Sequence, residues 1–452
     1  MRWSKKRDTT DDGMDATLYD LHLYYNAPIV FGKLRPIIGN FETRMATALA
    51  WLIGKNSVII RGASGSAKSE ILKATVTLAW GDEGLTGIHR DVYMIDASSD
   101  KGNITKDAIV EMRNSGHCFI PELQNCGNQE DIIKKWTEGM PYVYRRAKNG
   151  GASSSKLILP PLPILTNLAD GNEKMPELAN EMRRRFLSVW TVANRDVNEI
   201  VHEQKAFIDA LPEEEIPSIN EDRLTMLRNR LYCAMEDDRR VINPFGIELH
   251  KILPKTFTES NTYVEYLLNF VKTITKFYAD QRHTDGDKLF STAGDNYVAT
   301  IIAGGIFKSL SMGVPEFAKQ IVDGFEILPP GLFAFDSKDE VSAQSYYMTV
   351  DQVKDYIDTE IGMSMKKSAV KEILDKCVEV GHLRASGSGK SYYKTKEFEE
   401  VANVDVPTMV KRGVAFMEEH YPDDVDTWSK NIYDYIHPFT GEVAKIGDGH
   451  ND

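Results

Sequence analysis

Apolar residues recur along the first part of the chain in short blocks, separated by stretches with helical spacing. Ser57-Val58-Ile59-Ile60 has the length and composition of a buried strand, and SEILKATVTLAW, from Ser69, carries its apolar residues at helical intervals. Residues 91–100 (DVYMIDASSD) repeat the strand pattern with a polar end, residues 105–115 can form a helix, and residues 116–125 (GHCFIPELQN) predict a strand ending in a carboxylate. A helix over 131–138 precedes PYVYRRAKNGGASSSKLILPP, two strand-like runs around a basic, Gly/Ser-rich tip, which predicts a β-hairpin. LPILTN, residues 162–167, is a further strand with a polar end. Strands alternating with helices predict an α/β core with a parallel sheet, whose ligands lie at the carboxyl ends of the strands. The polar strand ends are therefore candidate site residues.

After about residue 194 the pattern changes. Residues 194–338 read as a helical lid region with acidic loops such as PEEEIPSINEDR and no strand alternation. In 339–400 two amphipathic helices, TVDQVKDYIDTEIG and KKSAVKEILDKCVEVG, lead into HLRASGSGKSYYKT, which reads as a two-stranded wing, so a winged helix is predicted. Residues 401–452 read as an aromatic-rich tail that frays at its end, and residues 1–34 as an N-terminal extension before a core over 35–193, with Asn40 as a helix N-cap.

Composition narrows the function classes. At 452 residues, 42% hydrophobic and 27% charged, the chain reads as a soluble protein of two to four domains. No apolar run approaches the roughly 20 residues that span a bilayer, and MRWSKKRDTTDDG lacks a signal-type apolar core, so the expected location is the cytoplasm, without a membrane partner. The net charge of −13 excludes a surface coated for nucleic acid, so any DNA contact must come from local basic clusters. Cys118, Cys126, Cys233 and Cys377 show no C-x-x-C pairing and are expected as buried free thiols.

The chemistry concentrates at residues 62–69, GASGSAKS: Gly62, Ala63, Ser64, Gly65, Ser66, Ala67, Lys68 and Ser69, with Glu70 following. A Gly-rich turn between strand and helix aims backbone N–H groups and the positive end of the helix dipole at one point, where a polyphosphate fits. Lys68 is placed to reach the β/γ-phosphates of ATP and the Ser69 hydroxyl to ligate Mg²⁺. The string follows G-x-x-x-x-G-K-[ST] except that Ala67 stands at the second glycine.

GASGSAKSEIL resembles the phosphate-binding loop (P-loop) of the minichromosome maintenance (MCM) branch of AAA+ ATPases, in which alanine before the lysine is the usual form. PIVFGKLRPIIGNFETRMATALAWLIG looks like that family's lead into the nucleotide pocket, EGMPYVYRRAKNGGASSSKLILPPLPILTN like its pre-sensor hairpin and sensor strand, and ANEMRRRFLSV like its arginine-finger segment. The resemblance spans about residues 28–192, with the winged helix a weaker match, and the family's large N-terminal domain has no counterpart before residue 34. It implies a P-loop AAA+ core with a hairpin insertion, a helical lid and a C-terminal winged helix, assembled as a hexamer. It also implies site roles: Glu122 as the carboxylate that polarises the attacking water, Asn167 as the sensor, and Arg185, next to Phe186, as the finger acting on a neighbouring copy. The family's metal-holding aspartate is here Pro121. Asp96 stands as a substitute ligand or as a capping or solvent-facing residue. Arg145, Arg146, Lys148 and Lys156 at the hairpin would grip DNA phosphates without reading sequence, against the plain alternative of an exposed charged turn. Lys366, Lys367, Arg384, Lys390 and Lys394 would give the winged helix a phosphate-contacting face, or the module binds protein. The family's lid arginine has five candidates: Arg228, Arg230, Arg239, Arg240 and Arg282.

Three functions follow as expectations. The first is an ATPase motor on single-stranded or forked DNA, a replicative helicase or replication-initiation ATPase. The second is a MoxR- or chelatase-like remodeller of proteins. The third is a winged-helix switch that binds ATP and hardly hydrolyses it, which Pro121 favours.

Overall fold

The computed structural model describes residues 16–62, 65–95, 106–123, 130–146, 155–169, 185–191, 195–212, 220–252, 260–311, 318–328, 346–379, 381–386, 389–394 and 405–446. Among the described residues the first unit holds a short hairpin of Ile29–Val30 with Lys33–Leu34 and seven further strands: β1 (Val58–Gly62), β2 (Val92–Met94), β3 (His117–Ile120), β4 (Tyr142–Arg146), β5 (Ser155–Leu159), β6 (Ile164–Ala169) and β7 (Leu187–Trp190). Five of them form a parallel sheet in the order β2-β3-β6-β1-β7. β1 lies inside it and is buried along its whole length, which is why its sequence is continuously apolar until Arg61. β4 and β5 pair with each other as the antiparallel hairpin inserted before β6.

Helices α1 (Leu18–Asn26), α2 (Phe41–Ala48), α3 (Lys68–Leu85), α4 (Lys106–Asn114) and α5 (Glu130–Thr137) surround this sheet. α1 belongs to the expected extension, yet Leu18, Leu21, Tyr24 and Tyr25 are buried, and the Tyr24 hydroxyl donates to the Ala74 carbonyl of α3 at 2.8 Å. Asn40 does precede α2, but its backbone is left-handed (φ 51°) and its side chain makes no capping bond. α2 is anchored by Arg44, which is completely buried and donates to Asn26 Oδ1 (2.7 Å) and the Ile37 carbonyl while lying over the Phe41 ring.

The second unit contains α6 (Arg195–Ala210), α7 (Glu221–Glu236), α8 (Ser260–Phe277) and α9 (Ala293–Ser311). It also holds a small three-stranded sheet of Arg240–Ile242, Lys288–Phe290 and Thr284–Asp285, which the mostly helical pattern there did not single out. These strands are two or three residues long, too short to show a period of their own.

Residues 405–446 do not behave as a loose tail. The helix Val406–His420 and the hairpin of Asp434–Ile436 with Val443–Lys445 close over the second unit. Trp428 is buried, stacks on Phe245 and donates Nε1–H to the Ser291 carbonyl at 2.9 Å. Phe439 meets His22 of α1, so the last described segment packs against the first.

The winged helix is present. Val350–Tyr356 and Lys367–Glu379 pack with three strands, Met348–Thr349, Ser391–Tyr393 and Arg384–Ala385, around their own apolar core. Trp190 at the end of β7 packs against that core, with the Arg61 guanidinium 4.6 Å from its ring centre. Cys118 and Cys377 are buried, whereas Cys233, expected to be buried, is exposed. Among the described residues, no helix is long and apolar enough to cross a membrane.

Candidate functional site

β1 ends at Gly62, where the chain turns with φ +144°. A Cβ there would lie 2.4 Å from Thr191 Oγ1 and 2.6 Å from its carbonyl, so only glycine lets the loop leave the sheet beside β7. Gly65 has φ +85° with open space where a side chain would go. Ala67 is left-handed at φ 65°, ψ 8° and leads straight into α3. An alanine in that region carries a penalty of roughly 1 kcal/mol that glycine would avoid, which explains what the usual glycine does at this place. Ala63 and Ser64 lie outside the described residues.

Lys68, the first residue of α3, is 93% buried from solvent, with 7% of its surface exposed. Its Nζ donates to the Gly62 carbonyl at 2.7 Å and to Ser66 Oγ at 3.4 Å, so the ammonium folds back over the loop. Ser66 Oγ lies 2.6 Å from Thr191 Oγ1, which donates to the Arg61 carbonyl. Ser69 is exposed at the helix start, and Glu70 in the same turn pairs with Lys73 at 3.1 Å.

Asn167 lies in register with Ile60 on the neighbouring β6 and is buried. Its Nδ2 donates to the Pro121 carbonyl at 2.7 Å and approaches Ser69 Oγ at 3.5 Å. The ends of β1, β3 and β6 thus converge on one point, with Glu122 exposed immediately after Pro121. The arrangement can take an anion on the loop and the helix dipole, a hard cation on the Ser69 hydroxyl, and a water between Glu122 and Asn167. Thr191 was not singled out in the sequence, although it ends the apolar run LSVW and the rule of polar strand ends applies to it.

Arg185 is elsewhere. It precedes β7, whose Leu187 pairs with Val58 at the start of β1, so it stands at the opposite edge of the sheet, about 15 Å of strand from the loop. Its guanidinium donates to the Lys134 carbonyl (3.1 Å) and pairs with Glu138 (2.9 Å). Asp96, Arg183, Arg184 and Lys148 lie outside the described residues. The hairpin sets Arg145 opposite Lys156 and Arg146 opposite Ser155.

The lid arginines are committed within or beside the second unit. Arg228 donates to the Thr77 and Leu78 carbonyls of α3, Arg230 pairs with Asp280, Arg239 with Asp237 and Arg282 with Asp295, and Arg240 opens a short strand. None of these contacts reaches residues 62–69. In the winged helix Lys366, Arg384 and Lys390 are exposed and Lys367 pairs with Asp351, but Lys394 is buried, facing Asp323, which removes it from the expected basic face.

A second concavity opens at the edge where the strands begin. Its volume is 1390 Å³, and it lies between the starts of β1, β3 and β6 and the helices α7 and α8. His117, fully enclosed beside it with Nε2 against the Trp51 and Leu52 carbonyls, is held down at about 4 by burial.

No family model matches the chain, and no curated protein matches it in sequence. Among solved structures, the Aeropyrum pernix ORC2 protein in its ADPNP–ADP complexes is similar to it at 11% identity and a TM-score of 0.23, over 84% of this chain and 92% of that one. At that identity and score the geometry of the chain itself has to support any functional reading.

Proposed function

We propose that this chain is an ATP-hydrolysing AAA+ motor of MCM-like type that acts on DNA as a homo-oligomeric ring, a hexamer by the same resemblance. The observation that supports it most is Asn167, whose amide joins the start of α3 at Ser69 to the end of β3 at Pro121. That contact brings the phosphate loop, the strand end carrying Glu122 and the sensor strand to one place.

The donor set fits Mg²⁺ with ATP: a glycine loop with open space over Gly65, a buried ammonium and an exposed serine hydroxyl at a helix start. When bound, Mg²⁺–ATP supplies a phosphoanhydride whose charge the metal partly neutralises. Lys68 would leave the Gly62 carbonyl to hold the outer phosphates, and the Ser69 hydroxyl would hold the metal. Glu122 orients a water and takes its proton, and Asn167 fixes that water's position. Arg185, on the far edge, belongs to the neighbouring copy's site and adds fixed positive charge there. The register sets Arg145 opposite Lys156 on the hairpin, two basic residue types suited to a DNA phosphate.

Pro121 supports a second reading, a slow ATP-dependent switch, because the position that should carry a carboxylate offers only a carbonyl already taken by Asn167. The deciding experiment is ATP turnover with and without single-stranded and forked DNA, with Lys68→Ala as control. A motor shows DNA-stimulated turnover that Lys68→Ala removes. Unstimulated turnover in the wild type rules out action on DNA, and turnover at the level of the Lys68→Ala control favours the switch.

A further inference from the structure

We infer that α6 is the seam between neighbouring copies of this chain, its apolar stripe seating the exposed face of the next copy's β4–β5 hairpin. The helix is 16 residues long, Arg195–Ala210, and from Glu199 to Ala210 none of its residues is buried. Ile200, Val201, Phe207 and Ile208, with Leu211 just beyond, are nevertheless spaced so that all five lie along one side of it. Ile200 is 46% exposed and Phe207 61%. The rest of the surface carries Glu199, Glu203 and Asp209 against Lys205, all exposed. A helix of this length takes most of its stability from packing an apolar face, and Glu199 and Glu203, four positions apart with like charge, work against it. The stripe therefore calls for a cover.

Charge and position identify that cover. An acidic polar face repels nucleic acid and an anionic lipid surface alike, so the partner is a protein. α6 begins four residues after Thr191, whose hydroxyl lies 2.6 Å from Ser66 of the phosphate loop, so it springs from the carboxyl edge of the sheet. Arg185 stands at the other edge. In the ring proposed above, on which this inference rests, the Arg185 side of one copy meets the loop side of the next, and α6 of the receiving copy lies beside the arriving surface. That surface has an apolar face of its own. Val143 and Ile158 are partners across the hairpin and are 42% and 61% exposed, and Met140 at its root is 51% exposed. Arg185 is tied to the same root by the Lys134 carbonyl and Glu138. Lys135, exposed there, brings positive charge towards the glutamates of α6. Two apolar patches with oppositely charged rims have the composition of a protein–protein interface.

The test is sedimentation velocity of the full chain, joined to cross-linking with a short bismaleimide. The wild type should sediment as an oligomer, and Ile200→Glu/Phe207→Glu as a monomer with an unchanged melting temperature, since both side chains are exposed. Phe207→Cys protein mixed with Ile158→Cys protein should give a cross-linked dimer that neither forms alone above the wild-type background from Cys233. If the glutamate pair unfolds the protein, the cross-link decides by itself. A wild-type monomer, a folded glutamate variant that still assembles, or Phe207→Cys joining to itself as readily as to Ile158→Cys overturns the inference. The two readings fail separately. If only the ATPase reading is wrong, assembly and cross-link persist while ATP turnover stays at the Lys68→Ala level. If only the seam is wrong, the glutamate variant keeps both its oligomer and its DNA-stimulated turnover.

Discussion

The two edges of the central sheet are built by different means. At the carboxyl edge, one short contiguous stretch makes a loop from backbone geometry: Gly62 and Gly65 at φ values above +80°, Ala67 in the left-handed region, and the first N–H groups of α3. At the opposite edge the cleft is assembled from side chains of α7, α8, the hairpin root and the starts of β1, β3 and β6, contributed by segments from Lys55 to Asp280. A backbone site is local and tolerates few substitutions at its glycines. A side-chain site is dispersed, and the loss of one contributor leaves the others in place.

The sharpest test of that contrast is functional. Lys68→Ala and Arg185→Ala should each lower ATP turnover by at least about a hundredfold, one from each edge. Mixing the two inactive proteins should restore part of the activity, because a ring then contains sites with an intact loop and an intact neighbouring arginine. No restoration would break the assignment of Arg185 to a neighbouring copy.

Gly62→Ala should lower stability by about 2–4 kcal/mol, read as a fall in the melting temperature, since its methyl group meets Thr191 at both oxygens. A smaller effect comes from the other edge. Burial holds His117 at about 4, below the ordinary 6.5, so the unfolded chain binds a proton that the folded chain refuses between those values. Stability is then complete above about pH 6.5 and falls as the pH drops toward 4, by up to about 3 kcal/mol from this residue. His22, also lowered to about 4 by burial and by Arg44, acts in the same direction. A His117→Gln variant should show a shallower loss of melting temperature over that interval. The smallest effect is Ala67→Gly, which should change stability by less than about 1 kcal/mol, as relief of the left-handed alanine is offset by greater freedom of the unfolded chain.

The same contrast governs what could be read from the sequence. The parallel sheet, the hairpin and the winged helix were legible because each rests on local pattern, and so was the loop, whose residues are contiguous. The meeting of Asn167 with Pro121 followed from strand ends sharing one edge, but the carbonyl that receives the amide belongs to the backbone and leaves no mark on composition. Residues 405–446 read as a tail because their partners, Phe245, Ser291 and His22, lie far away along the chain.

The pairing of Phe439 with His22 also bears on the order in which the protein is made. During synthesis the strands of the sheet are complete once residue 190 has emerged, whereas the aromatic cover over α1 comes only with residues beyond 420. At 5–20 residues per second, the 249 positions between Trp190 and Phe439 take on the order of 12–50 s to translate. For that interval a nascent chain whose sheet has formed still lacks the aromatic cover over α1, and it should be most prone to aggregate then.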